Sequence, residues 1–443
     1  MFVWNTDDLA VAAGHSLDAA RWQAHFDELM SRIAGRFARV EPRRRAQQLV
    51  GGLLSDLPSK NCWTIAEHAG DVTPDGLQHL LRRAVWDTDG VRDDLRGYVV
   101  DHLGSGDAVL VVDETGDLKK GAHTVGTQRQ YTGTAGRVEN AQVAVYLTYA
   151  SSRGHALIDR ALYLPTCWTS DPGRRGQAGV PDEVGFATKP ALAREMITRT
   201  LEADISVGWV AGDEVYGADP SLRAELEDRR VGYVLAVACS HRVRTHAGAR
   251  RVDALAATLP SRAWQRLSAG HGSKGPRFYD WAWISIDTAD TDTPGQRWLL
   301  IRRNNRTGEL AYYRCYASRP VPLSALVVVA GRRWTVEESF QASKGLTGLD
   351  QHQLRRWDSW HRWTVLAMLA YAFLAVLAAT ERARNPPPDG LIPLTCNEIH
   401  HLLSGLTGPI HNLRHRLRWS RWRRRHQHRA QTSHYQRRTA PEP

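Results

Sequence analysis

The chain has 443 residues, more than one ordinary domain needs, and its 42% hydrophobic content with 16 Trp excludes a disordered protein. Its formal net charge of +11 favours a polyanionic partner. Residues 411–443 hold ten Arg and one acidic residue, a net of +9, which leaves +2 for the other 410 residues. The excess charge is therefore mainly a C-terminal tail, which predicts nucleic-acid contacts there and says little about the rest of the chain.

Cysteine placement and the apolar segments exclude further classes. The five Cys are scattered without a C-x-x-C pair, which indicates reduced thiols in the cytoplasm rather than a disulfide framework or a zinc site. No basic stretch followed by an apolar one opens the chain, so no signal peptide is predicted. The uncharged run 364–379 has sixteen residues, fewer than the roughly 20 that cross a bilayer. It predicts a buried core helix and no membrane association.

Residues 1–104 have helical patterning and are predicted to form a DNA-binding domain. Two short helices, at 63–69 and 77–86, flank a polar turn, as in a helix-turn-helix that reads DNA. An ordinary packed helical hairpin explains this signal equally well. Arg82 and Arg83 on the second helix favour the DNA-binding alternative.

From residue 105 the pattern changes to alternating strands and helices. The apolar run 108–112 is typical of a strand buried on both faces. The elements predicted after it are strands at 138–149 and 156–164, a helix at 186–203, a strand at 207–211, a helix at 220–229 and a strand at 232–238. This order is typical of an RNase H-like α/β domain, whose first part we place at 105–239.

The remaining chain is predicted to complete that core and then leave it. Residues 240–295 contain an alternating aromatic strand and turn residues, and are predicted to be a β-rich insertion. Residues 296–384 supply the second part of the core, with a hairpin and several helices, and 385–443 a linker, a short helix and the basic tail. The predicted fold class is α/β: an RNase H-like catalytic core with a β-rich insertion, between a helical N-terminal domain and a helical, Arg-rich C-terminal region.

Two aspartates stand at the predicted ends of buried strands. Asp113 follows the strand in VVDETGD and Asp213 follows the strand in WVAGDEVYG. A single Asp at a strand end is more often a turn-former or a helix cap. Two in matching contexts favour a metal site, because the carboxyl ends of parallel strands meet at one edge of a sheet. Paired divalent ions held by carboxylates suit phosphoryl transfer, since they activate the nucleophile and stabilise the leaving oxygen.

A third acid comes from a predicted helix. Arg333, Glu337 and Lys344 project from nearly one face at 100° per residue, which places a carboxylate between two cations. Glu338 points about 100° away and is the weaker candidate. A surface helix with stabilising i,i+4 ion pairs is the commoner explanation of such spacing.

Several of these segments resemble a known family. The string R-W-x-x-E-E-x-F-x-x-x-K is similar to the Tyr-Arg-Glu-Lys signature of DDE transposases with an RNase H-like core. Four segments resemble insertion-sequence family seven-zero-one: VVDETGDLKKG, FATKPALAREM, GDEVYG and RRWTVEESFQASKGLTGLDQHQLRRW. The resemblance spans residues 35–405. It implies that Asp113, Asp213 and Glu337 are the catalytic, metal-binding triad, and that Arg333 and Lys344 contact DNA.

Other cations are candidates for contacts to the DNA backbone. Lys119, Lys120 and Lys189 lie close to the triad in sequence or in predicted structure, although an ordinary exposed lysine explains each of them equally well. The tail supplies four further candidates: Arg421, Arg423, Arg424 and Arg425. Ala330 stands where the signature has its Tyr, so the resemblance does not carry over DNA hairpin formation during excision.

Together these features predict a cut-and-paste transposase. Asp113 is expected to bridge two Mg²⁺ ions, with Mn²⁺ able to substitute, while Asp213 and Glu337 each complete one site. The expected partners are double-stranded DNA, as terminal inverted repeats and target, and a second copy of the chain in a homodimer on DNA. The expected location is the cytoplasm, at the nucleoid. A transposase-derived, non-catalytic DNA-binding regulator and a stand-alone metal-dependent nuclease are the alternatives.

Overall fold

The N-terminal region is helical, as its pattern predicts. The computed structural model describes residues 18–71, 73–245, 248–272, 275–286, 294–387, 389–407, 421, 424–425, 427–433 and 435–436. The helices before the first strand are α1 (Ala19–Arg32), α2 (Val40–Leu53), α3 (Cys62–His68), α4 (Asp75–Arg82) and α5 (Thr88–Leu103). Helix α3 begins at a capping box, where the Asn61 side chain accepts the N–H groups of Trp63 and Thr64. Helices α3 and α4 are the predicted pair of short helices.

A mixed sheet follows, in the predicted order of elements. Its first half consists of β1 (Val109–Leu118), β2 (Gln128–Thr132), β3 (Arg137–Ala150), β4 (His155–Leu162), β5 (Trp209–Gly212) and β6 (Gly232–Val237). The helices between these strands are α6 (Thr166–Thr169), α7 (Pro172–Ala178), α8 (Lys189–Glu202), α9 (Glu214–Gly217) and α10 (Pro220–Asp228). Strand β2 and the short helices α6, α7 and α9 are additions to the predicted list.

The sheet continues through four more strands. They are β9 (Gln265–Gly272), β10 (Gly275–Ser285), β11 (Gln296–Arg303) and β12 (Leu310–Ala317), and the strand order is β2-β3-β1-β5-β6-β12-β11-β10-β9, with β4 also beside β3. Strand β5 runs parallel to β1 and β6, whereas the other pairs are antiparallel. The carboxyl end of β5 therefore lies beside the middle of β1, within the sheet.

Strand β1 is twice as long as its apolar run predicts. Val109–Val112 pair with β5 on one side, and the whole strand to Leu118 pairs with β3 on the other. The polar half of β1 is therefore hydrogen-bonded along one edge only, which leaves room beside it for charged side chains. The prediction that Asp113 follows the end of its strand is wrong in this respect: Asp113 lies within β1 and follows only the part that pairs with β5.

Residues 240–295, predicted as a β-rich insertion, contribute mainly to the same sheet. Strand β10 pairs with β11 across the predicted boundary at 295, so no break in the sheet separates the insertion from the core. The other elements of residues 240–295 are a hairpin, formed by β7 (Arg242–Thr245) and β8 (Gly248–Arg251), and the helix α11 (Val252–Ala257). These cover a second, smaller apolar cluster that includes Val252, Leu299 and Ile301.

The last helices pack across the sheet and the N-terminal region. They are α12 (Leu323–Arg332), α13 (Trp334–Thr347), α14 (Trp357–Arg384) and α15 (Cys396–Thr407). Helix α14 has 28 residues and an apolar segment that is long enough to cross a membrane, but 94% of that segment is buried inside the protein. The burial of this helix confirms the predicted core helix. The argument that the apolar run is too short to cross a bilayer is not confirmed, because the helix is longer than that run. It contacts α2, α5 and β4, and so joins the N-terminal helices and the sheet in one core.

Candidate active site

The parallel register of β1 and β5 places two acidic residues side by side. Val112 is the Cα partner of Gly212, so Asp113 and Asp213 both follow the last paired position. Asp213 is the N-cap of α9, where its Oδ1 accepts the Val215 N–H at 2.9 Å. Two carboxylates thus enter one small region of the sheet.

Helix α13 brings a third carboxylate to the same region. Arg333, at the junction of α12 and α13, has its Nη1 3.7 Å from Asp113 Oδ2 and donates from Nη2 to Glu337 Oε1 at 3.3 Å. The helical phase predicted different directions for Glu337 and Glu338. Glu338 indeed turns away, with its Oε2 3.3 Å from His155 Nε2. One guanidinium therefore links Asp113 to Glu337.

All three carboxyl groups have raised pKa values. Burial, the charge of Asp213 and that of Glu114 raise the pKa of Asp113 to about 7, against the opposing effect of Arg333. Burial and then the charge of Glu114 raise the pKa of Asp213. Burial also raises the pKa of Glu337, although Arg333 opposes the shift. Negative charge is thus disfavoured here until a cation neutralises it.

The donor set fits a hard divalent cation, because it consists of carboxylate oxygens from separate elements. In the part of the chain that the structure describes, no three His, Cys, Asp or Glu side chains are already arranged to hold one ion. The Arg333 guanidinium lies between Asp113 and Glu337, where it compensates part of their charge. Asp113, Asp213 and Glu337 are the carboxylates of this region that could hold such an ion.

A second polar group supports the site from the other face of β1. Glu114 accepts from Lys189 Nζ and from the Tyr216 hydroxyl, each at 2.6 Å. Lys189 therefore pairs with a neighbour of Asp113, and its predicted phosphate contact remains a prediction. Tyr216 is a buried residue of GDEVYG that sequence reasoning missed. Its position at the end of α9, beside a predicted acid, was the available signal.

Two of the predicted DNA-contacting lysines point into the protein. Lys119 is buried and its Nζ donates to the His352 carbonyl at 3.1 Å. Lys344 donates to Thr115 Oγ1 at 2.9 Å, and its Nζ is 3.1 Å from Asp117 Oδ1. Both ammonium groups are engaged by protein oxygens, so Lys119 is not the ordinary exposed lysine that was the alternative explanation, and the DNA contacts of both residues remain predictions. Sequence reasoning also missed Asp117 and His352, whose partners are distant in the chain.

Three other predicted contacts are exposed to solvent. Lys120 follows the end of β1, Arg82 is the last residue of α4, and Arg83 adjoins it. Their exposure is compatible with DNA contacts, which remain predictions. The two arginines lie on the helix that was predicted to read DNA.

The tail arginines differ among themselves. Arg421 and Arg424 are buried, and Arg424 Nε donates to the Ile392 carbonyl at 2.7 Å. Arg425 is exposed, and Arg423 lies outside the described residues. Two of the four predicted tail arginines therefore pack on the protein, and the DNA contacts of the tail remain predictions.

We predict that metal binding at this site is pH-dependent. A divalent ion and a proton compete for the Asp113 carboxylate, whose pKa of about 7 leaves it mostly protonated below neutral pH. Mn²⁺ affinity of the DNA-free protein, measured by electron paramagnetic resonance, should fall about tenfold per pH unit below pH 7 and level off above it. An affinity that stays constant from pH 8 to about pH 5.5 would contradict the raised pKa.

Comparison with known proteins identifies the class. The chain belongs to the DDE superfamily of endonucleases: the family model described as "DDE superfamily endonuclease" matches residues 32–271, more than half of the chain. The match includes both aspartates of the site and ends before Glu337. Membership implies that the activity depends on a divalent metal ion.

One curated relative is more specific. Over 195 residues the chain is 29% identical to the "Probable transposase for insertion sequence element IS701" of Microchaete diplosiphon, which covers 43% of this chain and 48% of that protein. The chain thus matches about half the length of this relative. A cryo-EM structure of the piggyBac transposase synaptic complex with hairpin DNA is similar at a TM-score of 0.39 and 12% identity, over 95% of this chain and 82% of that one. A similarity at this TM-score does not bear on the site.

Proposed function

We propose that the chain is an insertion-sequence transposase, which cleaves double-stranded DNA at the ends of an element and joins the freed ends to target DNA. The observation that carries this proposal is the β1–β5 register, which places Asp113 beside Asp213 while Arg333 connects Asp113 to Glu337. The matched family and the transposase relative support it.

The core we propose is RNase H-like. Strands β4, β3, β1, β5 and β6 are neighbours in that order, and only β5 and β6 run parallel to β1. This arrangement places the acids at the carboxyl end of the paired part of the sheet, where α/β proteins build their sites.

The proposed reaction breaks one phosphodiester bond at each end of the element and then forms a new one with target DNA. Water attacks the scissile phosphorus, the bond to the 3′ oxygen breaks, and a 3′-hydroxyl and a 5′-phosphate result. The 3′-hydroxyl then attacks a target phosphorus in line, and the bond to the target's 3′ oxygen breaks. Two Mg²⁺ ions, replaceable by Mn²⁺, would lower the pKa of the attacking water and stabilise the leaving oxygen.

The protein's own residues supply positioning and charge. Asp113, Asp213 and Glu337 would hold the ions, and Arg333 is placed to bind a DNA phosphate once its carboxylate partners ligate metal. A cavity lies beside Arg333. Its lining residues include Tyr279, Trp281, Arg302, Tyr313, Ala330 and Trp334. Trp281 and Tyr313 are buried, whereas Trp334 is 47% exposed. An exposed aromatic face beside guanidinium groups binds unpaired nucleotides, so we assign this cavity to the DNA next to the cut.

A homodimer on DNA, in the nucleoid of the cytoplasm, completes the proposal, since two element ends need two sites. Incubating the full chain with DNA that carries its flanking element ends, and with Mg²⁺ or Mn²⁺, tests it. Cut and joined products are expected. Cleavage without joining would indicate a nuclease, and binding without cleavage a DNA-binding regulator; either result would overturn the proposal.

A further inference from the structure

The Lys344 ammonium group lies among three oxygen atoms of β1. An ammonium group has three N–H donors. Nζ of Lys344 is 2.9 Å from Thr115 Oγ1, 3.2 Å from the Gly116 carbonyl and 3.1 Å from Asp117 Oδ1. These acceptors all belong to the polar half of β1. The lysine therefore ties α13 to β1, and its side chain is only 15% exposed.

Asp117, the acidic partner of Lys344, is an anion in this structure. Burial would raise the pKa of Asp117, but the His352 ring, 3.4 Å away, and the ammonium groups of Lys344 and Lys119 lower it to about 2. Asp117 is 13% exposed and lies deep beside α13. The ion pair of Asp117 and Lys344 is thus largely excluded from water, which makes it stronger than a surface pair.

The ion pair and the triad share one strand and one helix. Side chains alternate along a strand, so Asp113 and Asp117 project from the same face of β1. Glu337 and Lys344 are seven residues, or two turns, apart on α13, a rise of about 10.5 Å. A contact that holds Lys344 at Asp117 therefore also holds Glu337 at a set position along β1, relative to Asp113. At the Glu337 end, the connection from α13 to Asp113 is the longer contact of Arg333, at 3.7 Å.

We propose that Asp117 and Lys344 are positioning residues: their buried ion pair sets the position of α13 along β1, and with it the position of Glu337 relative to Asp113. This inference rests on the proposed function for its effect on cleavage. Its effect on metal binding does not require that function. A displacement of about 1 Å at a reacting centre is enough to cost about a hundredfold in rate.

The test compares Lys344→Met, Asp117→Asn and the double variant in the full chain. Each single variant is expected to lower strand cleavage about a hundredfold, and the double variant no further, because both remove one interaction. Mn²⁺ affinity should fall in each variant although neither residue is a ligand. In Asp117→Asn the dependence of DNA-end binding on salt should match that of the unmodified chain. Gln341→Ala, on the exposed side of α13, is the matched control and should change none of these values.

If Lys344 acts only by contacting DNA, these measurements should give a different result. The slope of log affinity against log salt would then fall by about 0.9 in Lys344→Met, while Asp117→Asn would bind and cleave normally. That result would overturn the inference, as would unchanged Mn²⁺ affinity in both variants. If these variants do not fold, Thr115→Val removes one acceptor with little change of shape, and a smaller loss of Mn²⁺ affinity is expected. Normal Mn²⁺ affinity in Thr115→Val would then reject the inference. An unmodified chain that binds DNA ends but does not cleave them rejects the proposed function instead, and the Mn²⁺ and salt measurements still judge the positioning role.

Discussion

Asp113→Asn is expected to abolish strand cleavage while leaving the binding of element ends intact. The amide keeps the size of the side chain but loses the anionic oxygen that would bind both ions. Loss of this ligand should cost at least about a thousandfold in cleavage rate, equivalent to about 4 kcal/mol of transition-state stabilisation. A single-turnover assay on labelled DNA ends measures the rate, and a mobility-shift assay measures binding.

The same variant provides its own control for folding. Because the pKa of Asp113 is raised to about 7 in the folded protein, above the value of 3.8 for the free side chain, its contribution to stability is lost as the pH rises between these values. Asparagine has no such dependence, so the metal-free variant should melt at a higher Tm than the unmodified chain at pH 8. Cleavage within tenfold of normal in this more stable protein would remove Asp113 from the triad.

Glu337→Gln and Glu338→Gln are expected to differ sharply, although the residues are adjacent. Glu337 faces Arg333 and the aspartates, whereas Glu338 faces His155. The first variant should lower cleavage at least about a hundredfold and weaken Mn²⁺ binding, since it removes a ligand. The second should stay within about fivefold of normal, a change of about 1 kcal/mol.

Stability does not confound this comparison. Glu337 is 36% exposed and its pair with Arg333 spans 3.3 Å, so removing its charge should change the free energy of unfolding by about 0–1 kcal/mol. Urea unfolding of both variants checks this. A larger loss of cleavage in Glu338→Gln than in Glu337→Gln would reverse the assignment of the third acid.

Much of the architecture was predictable from local patterns. Strands buried on both faces are continuous apolar runs, so β1, β5 and β6 were recognisable, and the order of strands and helices in 105–239 followed. The phase of α13 separated Glu337 from Glu338 without knowledge of the partner of either. The pairing of β10 with β11 was not predictable, because an antiparallel partner is not encoded in a strand's own alternation.

The exposure of individual cations was the least predictable feature. Lys119, Lys344 and Arg424 all have the composition and context of DNA contacts, yet each faces oxygens of the protein. The acceptor of Lys119 is 233 residues away in the chain, and the acceptor of Lys344 on Thr115 is 229 residues away. A cation is buried when such acceptors surround it, and no local pattern reports them.

The residue types, their helical phase and the apolar strands thus established the class of chemistry and the three acids that were candidates for it, since these properties are local. The tertiary structure determined which groups each of these charged side chains contacts. The β1–β5 register brought Asp113 and Asp213 together across 100 residues, and the packing of α13 on β1 placed Lys344 against Asp117. Both results depend on contacts between distant segments, because burial and pairing are properties of the assembled core.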